Sequence, residues 1–171
     1  PLGPRSIQFD ASPWGAGGVL FVSGKPTEFF CHSWGDPETA FFSSVVGDSR
    51  FQSLWEFLTL FMSLLLWGEE GATNSTLIQG DNMAALSDAI SLRGKGTIPG
   101  MNIIARELAW RKASFGWQYR VAHLPKELNM LADALSCAAS VPPAPQPVFP
   151  ASTRQRTAPD LEQVWVTCAA A

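Results

Sequence analysis

The sequence predicts an α/β domain: a five-stranded mixed sheet flanked by helices. Three observations predict it. Strand-like runs come first as a block, near residues 6–10, 17–23 and 28–34, separated by Gly and Pro clusters in the manner of an antiparallel meander. From residue 50 onward strands alternate with helices: helical patterns near 50–67, 82–92, 102–115 and 129–139 enclose strands near 75–79 and 117–122. Strands first paired locally and then alternating with helices make a mixed sheet covered by helices. The third observation is size, since 171 residues of which 46% are hydrophobic form one domain with a substantial core.

Each element follows from its flanks. Residues 1–5, Pro-Leu-Gly-Pro-Arg, read as a turn-rich leader. The first strand, Ser6-Ile-Gln-Phe, ends at Asp10 and runs into Ala-Ser-Pro-Trp-Gly-Ala-Gly-Gly, read as a Gly-rich turn at Gly15–Gly18. A loop from Gly35 to Ser49 leads to the first helix, where Gln52, Ser53, Glu56, Thr59 and Ser63 form a thin polar seam. Nearly every other position is large and apolar, so the helix is buried on both sides of the seam. Glu56 is then a carboxylate in a dry setting and needs compensation. Leu77-Ile-Gln-Gly closes on Asp81, and Asn82 opens the next helix. Arg93-Gly-Lys-Gly-Thr-Ile-Pro-Gly breaks that helix. The last motif is His123-Leu-Pro-Lys-Glu-Leu-Asn-Met-Leu-Ala-Asp133-Ala-Leu-Ser. From Val141, Pro142, Pro143, Pro145, Pro147 and Pro150 bar helix and sheet, so residues 141–171 read as a Pro-rich, disordered tail or linker after a domain over 6–140, with Leu161 to Val166 as a candidate short ordered segment that suggests no chemistry.

Composition narrows the classes. Cys31, Cys137 and Cys168 lack the spacing of a disulfide scaffold or a zinc site and fit a reducing, intracellular setting, cytoplasmic or nuclear rather than secreted. The longest apolar run, Phe57 to Trp67, is eleven residues against the roughly 20 a membrane span needs, so no membrane partner is expected. Up to residue 140 there are thirteen acidic and ten basic residues, which predicts weak nucleic-acid binding by the domain alone. Arg106, Arg111 and Lys112, with Arg93 and Lys95, are candidates for a strand groove or for a solvated helix face. Trp55, Trp110 and Trp117 read as core.

Asp10, Glu56, Asp81 and Asp133 lie in four separate contexts, with His123 ten positions before the last. All but Glu56 have an ordinary explanation alone. Asp10 suits a turn, Asp81-Asn82 and Asn129 suit helix caps, Asp133 suits a solvated helix face, and His123 suits a structural role. Glu56 resists one, because its neighbours argue for burial.

Taken in order, the set resembles the type 1 ribonuclease H domain, over roughly residues 6 to 140. Asp10 matches that family's first strand-end acid, Glu56 its helix acid, Asp81 its second strand-end acid and Asp133 the acid of its last helix. His123 has the spacing of its mobile histidine. Asn129 and Ala132-Asp133-Ala-Leu-Ser resemble retrotransposon reverse transcriptases, those of the tyrosine-recombinase type among them. The resemblance implies a ribonuclease H-like fold and an endonuclease that cuts the RNA strand of RNA–DNA hybrids. It implies two ions of Mg²⁺ or Mn²⁺ on the four carboxylates, His123 in product release or proton transfer, and a reverse transcriptase polymerase domain as partner. Hard oxygen ligands suit those cations, and two together promote in-line phosphodiester hydrolysis. Ser12, Asn82, Asn129 and the N–H groups of Gly15–Gly18 are the candidate substrate contacts, directed at the 2′-OH that marks RNA.

Three competing classes differ at single features. A catalytically silent module of the same fold would have lost an acid, and none is lost. A proofreading exonuclease carries a second acid two residues after the first, where this chain has Ser12. Integrases lack the His123 spacing. The short interval from Asp81 to Asp133 leaves no room for the basic handle of some relatives, and Leu124-Pro-Lys stiffens a loop that is often Gly-containing.

Overall fold

The computed structural model describes residues 4–68, 75–94 and 100–169, with side chains as far as Thr167. Pro1 to Gly3 of the expected leader, Lys95 and the rest of the Gly-rich stretch to Pro99, and the Cys168 side chain lie outside the described residues.

The sheet orders its strands β5-β4-β1-β2-β3-β6. β1 (Arg5–Ala11), β2 (Gly15–Val22) and β3 (Lys25–Ser33) form the expected antiparallel meander. β4 (Thr76–Gly80) runs parallel to β1, and β5 (Tyr119–His123) runs parallel to β4. The C-terminal ends of β1, β4 and β5 therefore open on one edge of the sheet, where Asp10, Asp81 and His123 stand.

Helices cover both faces. α2 (Gln52–Trp67) packs on β1 and β2, and its far side meets α3 (Met83–Ser91) and α4 (Gly100–Phe115). α5 (Met130–Ser136) takes the opposite face, as two adjacent glycines show. A Cβ on Gly18 would lie 2.4 Å from the Phe30 ring and 3.1 Å from Ser63 Oγ of α2. One on Gly17 would lie 2.5 Å from Leu135 Cβ and 2.6 Å from the Ala132 carbonyl of α5. Successive strand residues point to opposite faces, so the sheet is sandwiched between these helices. The expected Gly15–Gly18 turn is thus the first half of a strand. Its glycines admit a helix backbone, and the segment lies between β1 and β3 as part of the ladder, with Gly15 N–H donating to Ser12 Oγ.

The polar seam of α2 is resolved inside the helix. Thr59 Oγ1 donates to the Trp55 carbonyl at 2.7 Å and Ser63 Oγ to the Thr59 carbonyl at 2.9 Å, so both hydroxyls are buried at no net loss of hydrogen bonds. Trp55 stacks on Trp34 at 4.5 Å.

Three segments depart from expectation. Arg5 belongs to β1 rather than to a leader, and its buried guanidinium donates to the Trp67 carbonyl. The Gly35–Ser49 loop contains a helix, α1 (Asp36–Phe42), because Pro37 suits a first turn and Glu38 reaches back to accept from Gly35 N–H at 2.8 Å. The largest departure is the tail. Prolines 142 to 150 do exclude regular structure, yet the chain beyond them packs on the domain. β6 (Arg154–Gln155) pairs in parallel with β3, and Phe149 stacks on Phe29 at 4.2 Å. Leu161, Val164 and Trp165 join the core, Trp165 facing Phe41, Phe42 and Phe61. Arg111 Nη2 donates to the Val164 carbonyl at 2.9 Å, and buried Glu107 accepts from Thr167 at the start of α6 (Val166–Ala169). Proline prevents a ladder from propagating, but not aromatic burial and ion pairing further along. No helix among the described residues is long and apolar enough to cross a membrane.

Candidate active site

The cavity at the acid-bearing edge of the sheet holds about 550 Å³. Asp10, Glu56, Asp81 and Asp133 all line it, one from each of four elements. Oxygens of Asp10, Glu56 and Asp81 lie within 4.8 Å of one another. Asp133, on the first turn of α5, lines the same cavity outside that group of three and adds to the rise of the Asp10 pKa.

Local chemistry fixes each position. The chain after Asp10 turns tightly because Ser12 Oγ accepts from Trp14 N and Gly15 N at 3.1 and 3.2 Å and donates to the Ser136 carbonyl at 2.6 Å. Trp34 Nε1 holds the same turn through the Ser12 carbonyl at 3.0 Å. Ser136 Oγ donates to Asp10 Oδ2 at 3.3 Å. Gln52, one helical turn before Glu56, donates to Glu56 Oε1 at 2.9 Å and to the Ala11 carbonyl at 2.7 Å, which ties the helix acid to the strand of the first acid. Gln52 and Ser136 are site residues that the sequence reading does not name. The signal for Gln52 was its place on the seam four residues before Glu56, and for Ser136 its spacing of three from Asp133.

The carboxylates carry strained electrostatics. Burial, then the charges of Glu56 and Asp81, push the Asp10 carboxyl far above the usual range. Burial, then the charge of Asp81, raises Glu56. Glu56 Oε2 is buried with no hydrogen-bond partner. No Lys or Arg forms an ion pair with any of the four acids among the described residues. An all-oxygen donor set, convergent and short of positive charge, fits a hard divalent cation.

The remaining candidates divide. Asn82 lines the cavity, but its side-chain oxygen is engaged as the N-cap of α3, accepting from Ala85 N at 2.9 Å. Ser12 also lines it, with its hydroxyl spent on the turn just described. Asn129 is a correction. It is fully buried, donates to the Phe9 carbonyl at 2.8 Å and makes no side-chain cap, so it anchors the loop before α5 rather than touching substrate. His123 lies outside the cavity lining; exposed at the end of β5, it pairs in register with Gly80, one residue before Asp81. Arg111 and Lys112 do not form a groove, since Arg111 holds the tail and the Lys112 ammonium sits 4.6 Å from the Tyr119 ring. Trp55 and Trp117 are buried as expected, whereas Trp110 is 37% exposed and meets Phe115 edge-on.

This strand order, with acids at the ends of β1 and β4, is the ribonuclease H fold. Solved structures of that fold resemble the chain. LC11-RNase H1, isolated from compost and solved with an RNA/DNA hybrid, superposes with a TM-score of 0.56 at 15% identity, covering 77% of this chain and 91% of that one. RNase H1 from the halophilic archaeon Halobacterium salinarum gives 0.55 at 18% identity, over 80% and 97%. The N-terminal RNase H domain of a Mycobacterium tuberculosis protein gives 0.54 at 17%, over 77% and 95%. No protein-family model and no curated protein matches the sequence, and the likeness is one of fold.

Proposed function

We propose that this chain is a ribonuclease H, a metal-dependent endonuclease that cuts the RNA strand of RNA–DNA hybrids within a retroelement reverse transcriptase. The observation that carries the proposal is the convergence of four carboxylates from four elements, without a basic partner, in one open cavity. That a solved structure of the same fold holds an RNA/DNA hybrid supports the substrate class.

Asp10, Glu56, Asp81 and Asp133 would hold the cations, two of Mg²⁺ or Mn²⁺. Bound there, these ions supply Lewis-acid activation of water and stabilisation of the leaving 3′ oxygen. The protein's own part is to place the charges. Gln52 orients Glu56, Ser136 orients Asp10, and the Ser12 turn holds the strand end that carries Asp10. His123, exposed beside the Asp81 strand end, is placed to carry protons or assist product departure from outside the cavity.

The retroelement setting rests on the Asn129 to Ser136 wording. It also rests on the thin supply of free basic groups, which a tethered polymerase domain would offset through effective concentration. The thiols, free at Cys31 and Cys137, accord with an intracellular enzyme.

The test is incubation of the whole chain with labelled RNA–DNA hybrid, RNA duplex and DNA duplex in Mg²⁺ or Mn²⁺. Hybrid-only cutting leaving 3′-OH ends, abolished by Asp81→Asn and slowed by His123→Ala, is the expected result. Cutting that survives Asp81→Asn in full would overturn the site.

A further inference from the structure

We infer that Lys126 is the phosphate-gripping residue of this site, a contact to the strand being cut; the inference deepens the nuclease proposal and rests on it. Three observations converge. First, Lys126 is the lone cationic side chain among the twelve residues that line the acid cavity. Second, its position is imposed. The turn Lys126–Leu128 lies between β5 and α5, and the segment around it is tied at both ends to the strands that bear the acids. Leu124 N donates to the Gly80 carbonyl at 2.8 Å, next to Asp81. Asn129 Nδ2 donates to the Phe9 carbonyl at 2.8 Å, next to Asp10. Within the turn, Leu128 N and Asn129 N donate to the Pro125 and Lys126 carbonyls at 2.9 and 3.0 Å. A segment tied to both acid-bearing strands thus places exposed Lys126 on the wall of the acid cavity.

Third, no other described cation lines the cavity, and most are engaged elsewhere. Arg5 is buried under Trp67, Arg50 is paired with Asp48, Arg154 and Arg156 are clamped on Glu28, Arg111 is bound to the tail and Lys112 lies over Tyr119. Lys25 sits at the far end of the sheet, on the hairpin from β2 to β3.

Charge counting gives the same answer. Four carboxylates balance two divalent ions, and a phosphodiester entering that neutral centre brings one uncompensated negative charge. Lys126 supplies its counterpart. A point charge on a flexible stem suits a phosphate whose position shifts between substrate and product. It carries no base information, so the grip is independent of sequence.

The experiment measures binding as well as turnover. Labelled hybrid is titrated with wild-type, Lys126→Ala, Lys126→Arg and Lys25→Ala chains across a salt series, in EDTA and in Ca²⁺, and steady-state cleavage is followed in Mg²⁺. Lys126→Ala weakens hybrid binding several-fold for every sequence, lowers the salt slope by about one, and raises KM far more than it lowers kcat. Lys126→Arg restores the slope, and Lys25→Ala keeps it. An unchanged slope and Kd in Lys126→Ala, with wild-type cutting intact, overturns the assignment and leaves the nuclease proposal standing. A wild-type chain that shows the Lys126-dependent slope but cuts no hybrid keeps the lysine and overturns the nuclease.

Discussion

Two ends of one sheet treat buried carboxylates in opposite ways. At the far end of β3, Glu28 accepts from Arg154 at 2.9 Å, from Arg156 at 3.0 Å and from Trp67 Nε1 at 3.1 Å. Burial alone would raise its pKa, but the Arg154 hydrogen bond and the Arg156 charge outweigh it and hold the group below the usual range. At the acid-bearing edge, Asp10 and Glu56 have one another, Asp81 and Asp133 for company, and their pKa values rise. The difference separates structure from function. An acid the protein neutralises itself is a fastener, whereas a set left uncompensated awaits a cation from outside.

The sharpest way to break that comparison is a pair of isosteric changes. Asp10→Asn removes a cation ligand and should cost more than about a hundredfold in hybrid cleavage, since even residues that merely support ligands cost roughly 10–100-fold. The same change removes repulsion, so the metal-free chain should melt no lower than wild type. Trp165→Ala should do the reverse. It strips the aromatic anchor of the tail that carries the arginine clamps, costing ~3 kcal/mol in urea unfolding while the acid cavity stays intact. Glu28→Gln should lower stability by ~1–2 kcal/mol with cleavage retained. That is less than a fully buried pair would cost, because Arg154 is 69% exposed. Gln52→Ala should slow cleavage about tenfold by freeing Glu56, with little change in Kd for hybrid. Were Glu28→Gln to abolish cutting, or Asp10→Asn to spare it, the division between the two ends would be false.

The acid-bearing end was largely legible in the sequence and the clamped end was not, for a physical reason. Asp10 and Asp81 each mark the point where a strand pattern stops, and Glu56 interrupts a helix that is otherwise apolar, so local pattern makes them candidates and the ribonuclease H order joins them to Asp133. Glu28 carries no such mark, because its partners Arg154 and Arg156 stand more than a hundred residues away behind a run of prolines. Proline density signals the absence of a ladder and is silent about Trp165 and Leu161 further along. Asn129 was visible as a polar residue before a helix, but its true partner, the Phe9 carbonyl, exists only once β1 and α5 are packed. The glycines of β2 read as a turn from sequence because close approach of a helix and a tight turn call for the same residue.

Melting of the whole chain at about pH 5.5 and pH 8, with and without Mn²⁺, tests the central claim most directly. A carboxyl whose folded pKa is raised contributes fully below its unfolded value and loses that contribution as pH rises through the folded value. Asp10 and Glu56 therefore destabilise the metal-free chain on going from pH 5.5 to 8. Glu28, whose pKa is lowered, acts only on the acid side, where its contribution fades as pH falls. The account predicts that Mn²⁺ raises Tm at pH 8 in wild type and equally in Glu28→Gln, but hardly in Asp10→Asn. An equal rise in Asp10→Asn, or none in wild type, would contradict it.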